Sequence, residues 1–161
     1  MKKNLALLLL LTVSTMAWGQ SLAYKTLLKG VYEKDFPVVN PQDLEGMPDA
    51  VLLDTREIEE FEISHLKGAN WVGYDTFTID SVNGISKEQP IVVYCSIGAR
   101  SQDIGKKLKK AGFKNVYNLY GGVFHWVNEG FPVYNKEGET SKVHGYSRAW
   151  GIWLNRGEKV Y

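Results

Sequence analysis

The segment IVVYCSIGARSQDIGKK (Ile91–Lys107) joins an apolar run to a segment with helical spacing, and it contains the single cysteine of the chain. The run Ile91–Tyr94 is apolar throughout, which is typical of a strand buried on both faces of a sheet. It ends at Cys95, and small residues lead from the cysteine to Arg100. A strand, a tight loop and a helix in this order predict an α/β fold with Cys95 at the carboxyl end of a strand.

The segment after the loop carries the strongest helix signal in the chain. Ile104, Leu108 and Ala111 recur at i, i+4 and i+7, and the lysines fall in the later turns, where they complement the helix dipole. Gly112 followed by Phe113 is typical of a Schellman ending, in which a left-handed glycine stops the helix. We therefore expect an amphipathic helix that ends at this glycine.

Similar apolar runs alternate with amphipathic segments elsewhere in the chain. Further strands are expected at AVLLDT (50–55), ANWVGY (69–74) and NVYNLYGG (115–122). Further helices are expected within residues 21–37, 40–49, 56–69 and 121–132. This alternation predicts a small α/β domain with a mainly parallel sheet.

The helix expected after the first of these strands, REIEEFEISHLKGA, is amphipathic in its pattern. Ile58, Phe61 and Leu66 are expected on its packed side, and the glutamates on its other sides. The pattern predicts a helix that closes at Gly68.

The C-terminal residues are polar at first and then aromatic. Tyr146, Trp150, Trp153 and Leu154 recur at helical spacing, which predicts a helix that packs onto the domain. A surface for a partner or a ligand is the alternative interpretation.

The first 19 residues have the order of a secretory signal peptide: two lysines, the apolar run Leu5–Val13, and then small residues. We expect cleavage after Gly19, with a second candidate site after Ala23, and an uncleaved anchor is the alternative. The apolar run is shorter than the roughly 20 residues of a transmembrane helix. The sequence therefore predicts an exported protein, periplasmic or secreted, without stable membrane insertion.

The composition is that of an ordinary globular protein, with 161 residues, 44% hydrophobic residues and a net charge of +1. This length suits one domain of about 100–150 residues, which we place at 41–135, between an extension at 20–40 and the tail at 136–161. The balanced charge does not favour a nucleic-acid partner, which would need a basic stripe. A single cysteine leaves no disulfide within the chain, so stability must come from the core.

The loop after Cys95 has features that stabilise a thiolate. Small residues leading into a helix can turn several backbone N–H groups inward, and the helix N-terminus favours negative charge. Gly98 supplies the backbone freedom of a tight loop, and Arg100 adds a cation at its end. Cys95 is therefore interpreted as a nucleophile, and a small buried side chain that ends a strand is the alternative.

Three motifs resemble signatures of the rhodanese family, in particular those of its single-domain, exported members. LLDTREIEEFEISHLKGA (52–69) is similar to the first signature, VVYCSIGARS (92–101) to the active-site loop, and YNLYGGVFHWVNEGFP (117–132) to the closing signature. The resemblance implies a five-stranded parallel sheet flanked by helices. It also implies that Cys95 accepts a sulfane sulfur and becomes a persulfide.

The same resemblance implies roles for the loop that follows the nucleophile Cys95. Its backbone would cradle the persulfide, and Arg100 would close the loop and attract an anionic donor. The anion-binding loop would consist of Ser96, Ile97, Gly98, Ala99, Arg100 and Ser101.

Outside the loop, the resemblance implies that Asp54 and Arg56 form a pair that braces the loop rather than reacting. His65 matches the histidine of the first signature and is interpreted as structural. His125 and His144 have no assigned role and are expected on the surface or in packing contacts.

Two positions near His65 depart from the family pattern, because Ser64 and Lys67 replace a glycine and a proline that are common there. The departure at Ser96 concerns the chemistry, because some thiosulfate-using members carry a basic residue directly after the cysteine. Thiosulfate is therefore expected to be a poor substrate.

The loop length separates this chain from related cysteine phosphatases and arsenate reductases. Four residues lie between Cys95 and Arg100, whereas those enzymes have five, so the shorter loop suits a single sulfur atom. A chain with one cysteine also cannot resolve a disulfide by dithiol exchange.

The sequence therefore predicts a sulfurtransferase that carries sulfur on Cys95 from a donor such as thiosulfate to cyanide or a thiol acceptor. The expected partners are this small sulfur-donor anion and the acceptor, and no metal or organic cofactor is needed. A non-catalytic rhodanese module that binds a partner or senses sulfur or redox state is the alternative.

Overall fold

The computed structural model describes residues 22–161. The expected signal peptide, residues 1–19, lies outside the described residues, so its cleavage stays a prediction. Residues 22–31 form helix α1, which belongs to a different compact unit from Tyr32–Tyr161. In the part of the chain that is described, no helix combines the length and the apolar character needed to cross a bilayer.

A five-stranded sheet forms the centre of the second unit. Its strands in chain order are β1 Val38–Val39, β2 Val51–Asp54, β3 Asn70–Trp71, β4 Ile91–Tyr94 and β5 Val116–Leu119. Their order across the sheet is β1-β5-β4-β2-β3, and every pairing is parallel. The predicted α/β fold with a five-stranded parallel sheet is confirmed. β4 lies at the centre, and all four of its residues are buried, as its continuous apolar run requires.

Four helices accompany the sheet: α2 Pro41–Leu44, α3 Ile58–Ile63, α4 Ala99–Lys110 and α5 Gly122–Asn128. A short 3-10 turn, Ile79–Val82, lies between β3 and β4. The buried core cluster joins the sheet to α4 and the neighbouring loops, and it consists of Phe36, Leu53, Val72, Val82, Ile91, Val93, Ile104, Leu108, Phe113 and Val116.

Helix α4 ends as its sequence predicts. The N–H of Phe113 donates to the carbonyl of Leu108 at 3.2 Å, and the N–H of Gly112 donates to the carbonyl of Lys109 at 2.9 Å. With Gly112 at φ 94°, this is a Schellman ending. The helix begins at Ala99, so the end of the cysteine loop is already helical.

The prediction for α3 was wrong in its length and in its buried face. The helix ends at Ile63 instead of Gly68, because the carbonyl of Ser64 accepts a hydrogen bond from Arg56 at 2.6 Å and the backbone turns extended there. Glu60 is 2% exposed, whereas Ile58 is 36% exposed. A glutamate therefore occupies an interior position that the apolar pattern assigned to isoleucine.

The helix expected in the tail was also wrong. The chain instead forms the antiparallel pair β6 Val133–Asn135 and β7 Gly138–Thr140, and the parallel pair β8 Lys142–His144 and β9 Glu158–Val160. Only a 3-10 turn, Gly151–Trp153, lies between β8 and β9. Glycine disfavours a continuous helix here, and the Tyr161 hydroxyl packs so closely on Gly151 that a β-carbon at this position would collide with it.

Candidate active site

Cys95 follows directly on β4, at the carboxyl edge of the sheet, where ligands bind in open α/β folds. The residue is 1% exposed, and its Sγ accepts a hydrogen bond from the N–H of Gly98 at 3.1 Å. Gly98 directly precedes α4, so this N–H belongs to the start of the helix. A backbone N–H and the positive end of a helix both favour negative charge on the sulfur.

Two glycines allow the loop to take this shape. Gly98 has φ 105°, and a β-carbon there would collide with the Tyr32 hydroxyl. Gly122 has φ 57°, and a β-carbon there would collide with the carbonyl oxygen of Cys95. Because α5 comes this close, the N–H of Val123 donates to the Cys95 carbonyl at 2.9 Å. The start of α5 thus holds the backbone at Cys95.

Tyr32 braces the loop from the other end of the chain. Its hydroxyl lies 2.9 Å from the carbonyl oxygen of Ile97 and accepts the N–H of Gly121 at 2.7 Å. The extension predicted at 20–40 therefore contributes a residue to the site, which sequence reasoning missed. A lone tyrosine outside the three motifs gives no signal for such a role.

Asn118 braces the loop from β5. Its Nδ2 donates to the carbonyl of Gly98 at 2.8 Å, and its Oδ1 accepts the Ser101 hydroxyl at 2.8 Å. Asn118 and Ser101 are both fully buried. The resemblance assigned Ser101 to the anion-binding loop, but its hydroxyl is directed to Asn118, so its contacts are structural.

Glu60 is the main residue of the site that sequence reasoning missed. Its carboxylate accepts the Ser96 hydroxyl at 2.9 Å and two hydrogen bonds from Arg100, at 2.8 and 2.9 Å. A second carboxylate, that of Glu57, lies 3.7 Å from Arg100. The Arg100 guanidinium also donates to the Ser96 hydroxyl at 3.1 Å, and the two carboxylates compensate its charge. The spacing of Glu57 and Glu60 fits a capping box, and this was the available signal that Glu60 faces the helix start.

The pKa values of the two partners reflect this pairing. Burial alone would raise the pKa of Glu60, but the hydrogen bonds and charge of Arg100 outweigh burial, and the pKa is lowered. Burial alone would lower the pKa of Arg100, but the hydrogen bonds to Glu60 and the coulombic interactions with Cys95 and Glu60 outweigh burial and raise it. Both groups therefore stay ionised at neutral pH.

Asp54 and Arg56 form a second pair beneath the site, and both side chains are fully buried. The guanidinium lies 2.6 Å from the Asp54 carboxylate and also donates to the carbonyl of Ser64. Burial alone would lower the pKa of Arg56, but the charge and hydrogen bonds of Asp54 outweigh burial, so the pKa is raised. The pair fixes the turn after α3, where the N–H of Ser64 donates to the carbonyl of Glu60 at 3.3 Å.

The comparison with known families agrees with this geometry. The family model for the rhodanese-like domain matches residues 40–129, more than half of the chain. The chain belongs to the rhodanese-like family. The match ends at residue 129, directly after α5, so residues 130–161 lie beyond it.

Curated relatives share this domain and not the rest of their length. The chain is 37% identical over 86 residues to a tRNA uridine(34) hydroxylase of Hamiltonella defensa, covering 50% of this chain and 24% of the relative. It is 38% identical over 96 residues to the "adenylyltransferase and sulfurtransferase UBA4" of Meyerozyma guilliermondii, covering 53% and 23%. The chain thus spans about a quarter of the length of these relatives.

Solved structures share the fold over more of the chain. A polysulfide-sulfur transferase homodimer of Wolinella succinogenes is 28% identical with a TM-score of 0.53, covering 72% of this chain and 90% of that one. The BH2092 protein of Bacillus halodurans is 24% identical with a TM-score of 0.57, covering 73% and 88%. The second likeness concerns the fold alone.

The three histidines of the rhodanese-like chain make structural contacts. His65 Nδ1 lies 2.9 Å from the carbonyl oxygen of Phe61, and the two rings stack at 4.0 Å. The rings of His125 and Tyr120 are perpendicular, with their centres 5.4 Å apart, and His144 Nδ1 accepts the N–H of Tyr146 at 3.0 Å. These contacts agree with the structural interpretation of His65.

A cavity of about 150 Å³ opens beside the cysteine. It is lined by Cys95, Ser96, Ile97, Ala99, Arg100, Tyr146 and Trp150. The last two residues come from beyond the rhodanese-like match, and the Arg100 guanidinium lies 5.1 Å from the centre of the Tyr146 ring. Sequence reasoning noted these aromatic residues but did not place them at the site. Within residues 22–161, no group of three or more histidine, cysteine or carboxylate side chains is placed to hold a metal ion.

Proposed function

We propose that the protein is a sulfurtransferase that carries a sulfane sulfur as a persulfide on Cys95, from a donor such as thiosulfate to cyanide or a thiol. The observation that carries the proposal is the hydrogen bond from Gly98 N–H to Cys95 Sγ at the start of α4. This donor stabilises negative charge on sulfur, which both the thiolate and the persulfide anion carry. The likeness to a sulfurtransferase and to a polysulfide-sulfur transferase supports the same chemistry.

In the first half of the proposed reaction, the Cys95 thiolate attacks the outer sulfur of thiosulfate. The S–S bond of the donor breaks, and its electron pair leaves with sulfite. In the second half, cyanide attacks the outer sulfur of the persulfide, thiocyanate departs, and Cys95 is released as a thiolate. Neither half requires an external oxidant or reductant, and each conserves the total charge.

Steady-state turnover tests the proposal. The wild-type protein, incubated with thiosulfate and cyanide, should release thiocyanate. The Cys95→Ser variant should release none, because serine provides no thiolate. A matched control is Lys114→Ala, because Lys114 is an exposed residue on the loop before β5. Thiocyanate release by Cys95→Ser at the wild-type rate would contradict the proposal.

A non-catalytic module that senses sulfur or redox state is the second candidate. The observation in its favour is the burial of Cys95, which is only 1% exposed. Such a module would accept one sulfur atom without passing it on repeatedly to an acceptor. Only a catalytic sulfurtransferase would therefore release more than one equivalent of thiocyanate per protein. Hydrolysis of an aryl phosphate would favour a cysteine phosphatase instead, which the four-residue loop disfavours.

We also propose that the protein acts outside the cytoplasm, periplasmic or secreted. The order of charged, apolar and small residues in the first 19 positions supports this proposal. Fractionation of cells that express the full chain, with N-terminal sequencing of the product, tests it. A product that retains its first residues in the cytosolic fraction would contradict it.

A further inference from the structure

Two aromatic residues from outside the family domain complete the pocket at Cys95. Tyr146 and Trp150 line the same cavity as the cysteine, although the family match ends at residue 129. The cysteine and its loop thus belong to the shared domain, whereas part of the pocket wall comes from residues beyond the family match.

The segment that carries these two residues is held at several points. The flanking strands β8 and β9 pair in parallel, with Val143 opposite Lys159. Asn128 of α5 donates to the carbonyl of Trp153 at 2.8 Å and accepts the N–H of Asn155 at 2.7 Å. The residues on either side of Tyr146 and Trp150 are therefore fixed against the domain.

The backbone at Tyr146 is itself in an uncommon conformation. Tyr146 has φ 61°, a left-handed value that a bulky residue rarely adopts. Its N–H donates to His144 Nδ1 at 3.0 Å, which holds the turn. This conformation places the ring against the cavity and over the Arg100 guanidinium. Strain of this kind concentrates at functional sites.

The charges around the cavity do not favour a dianion. Arg100 is the cation that lines the cavity, and the Glu60 carboxylate accepts two of its hydrogen bonds. The Glu57 carboxylate lies 3.7 Å from the same guanidinium. Because these carboxylates already compensate Arg100, a doubly charged donor such as thiosulfate gains little from it.

The shape and lining of the cavity favour a compact apolar group instead. Ile97, Tyr146 and Trp150 provide apolar surface, and a cavity near 150 Å³ holds about one benzene-sized group. Burial of such a group against aromatic rings is favourable without any compensating charge.

We propose that Tyr146 and Trp150 form a subsite that selects organic sulfane-sulfur donors with one compact apolar group over thiosulfate. The inference rests on the proposed function, because it assigns the donor class of the same cysteine. In the reaction, the Cys95 thiolate attacks the outer sulfur of an organic thiosulfonate. The S–S bond of the donor breaks, and its electron pair leaves with the organic sulfinate, so charge and atoms balance.

Three donors separate apolar size from charge. Benzenethiosulfonate and methanethiosulfonate are both monoanions and differ in the size of the apolar group, whereas thiosulfate is a dianion without one. The kcat and KM for each donor are measured with cyanide as acceptor in the wild type. The ratio of kcat/KM for benzenethiosulfonate to that for methanethiosulfonate then reports on the subsite, and comparison between variants cancels the intrinsic reactivity of each donor.

Two variants remove one ring each. Trp150→Ala opens the cavity, and Tyr146→Asn removes the ring with a residue that tolerates the left-handed conformation. In each, the ratio should fall about tenfold through a rise in KM for the benzene compound. Ile152→Ala is the matched control, because Ile152 is 54% exposed on the same segment and does not line the cavity.

The outcomes distinguish the two levels of the proposal. A ratio that stays at the wild-type value in both variants would overturn the subsite and leave the sulfurtransferase intact. A wild-type protein that forms no persulfide from any of the three donors would overturn the proposed function and the subsite with it. A fall in kcat for all three donors without a change in the ratio would show a merely structural role for the segment.

Discussion

The cysteine loop (residues 95–101) and the C-terminal segment (residues 145–157) line one pocket, but different interactions hold them in place. The loop is fixed by backbone hydrogen bonds from α4 and α5 and by two glycines that accept close contacts. The C-terminal segment is fixed by the pairing of two short strands, by the side chain of Asn128 and by the Tyr161 ring, which packs on Gly151. The loop therefore combines close backbone contacts around Cys95 with bracing side chains from elsewhere in the chain, whereas the segment is anchored by strand pairing and by the side chains of Asn128 and Tyr161.

The largest expected effect breaks the loop. In Gly122→Ala the new methyl group would collide with the carbonyl oxygen of Cys95, and we expect a loss of at least about 3 kcal/mol in the free energy of unfolding and loss of activity. Gly68→Ala is the matched control. Gly68 also has positive φ, at 75°, but open space around it, so only strain of about 1–2 kcal/mol applies. Urea denaturation measures the free energy of unfolding of both variants. Equal losses in Gly122→Ala and Gly68→Ala would contradict the role of the close contact between Gly122 and the Cys95 carbonyl.

The next largest effect is expected at Glu60, whose carboxylate connects α3 to the cysteine loop through Ser96 and Arg100. Glu60→Gln leaves the largely buried Arg100 without its carboxylate, and we expect a loss of about 2 kcal/mol at pH 7, less than for a fully buried pair because Arg100 keeps some solvent contact. Glu59→Gln, at an exposed neighbouring position, is the control. Chemical denaturation measures both.

The pH dependence of this loss follows from the pKa of Glu60. Its folded-state pKa lies below the ordinary value of 4.5, so the carboxylate stabilises the fold above that pH and the contribution is lost as pH falls through the lowered pKa. The difference between wild type and Glu60→Gln should therefore be constant above about pH 5.5 and shrink on acidification. A difference that grows below pH 4.5 would contradict the pairing.

The smallest effect concerns the C-terminal segment. In Gly151→Ala the added methyl group would collide with the Tyr161 hydroxyl, and we expect a loss of about 1 kcal/mol in stability because the chain end can shift. In a Tyr161→Ala background the same substitution should cost almost nothing, since the colliding ring is gone. Thermal unfolding of the four proteins in this double-mutant cycle measures the stability losses. The same loss in both backgrounds would show that the contact between Tyr161 and Gly151 does not hold the segment.

The same contrast explains what the sequence could predict. The apolar run of β4, the spacing of Ile104 and Leu108, and the Schellman ending at Gly112 are local patterns, and the structure confirms the elements they predict. β1 was missed as a strand of the sheet because Val38–Val39 lies between Pro37 and the expected helix start at Asn40-Pro41, which leaves no longer apolar run around it.

The missed site residues have a common physical reason. Tyr32, Glu60, Tyr146 and Trp150 reach the loop through contacts between distant parts of the chain, and local periodicity carries no such information. For Glu60 the pattern even misled, because pairing with Arg100 outweighs the cost of burial. The spacing of the aromatic residues in the tail predicted a helix. The glycines of the tail and the pairing of β8 with β9 favour short strands and a 3-10 turn instead.

The central claim is that the loop at Cys95 holds one sulfur atom as a persulfide. Intact-mass measurement of the protein after incubation with a sulfane-sulfur donor and removal of excess donor tests it most directly. We expect a mass increase of one sulfur atom, localised to the peptide with Cys95, that disappears on addition of cyanide with release of one equivalent of thiocyanate. A protein whose mass is unchanged by thiosulfate, methanethiosulfonate and benzenethiosulfonate would contradict the account.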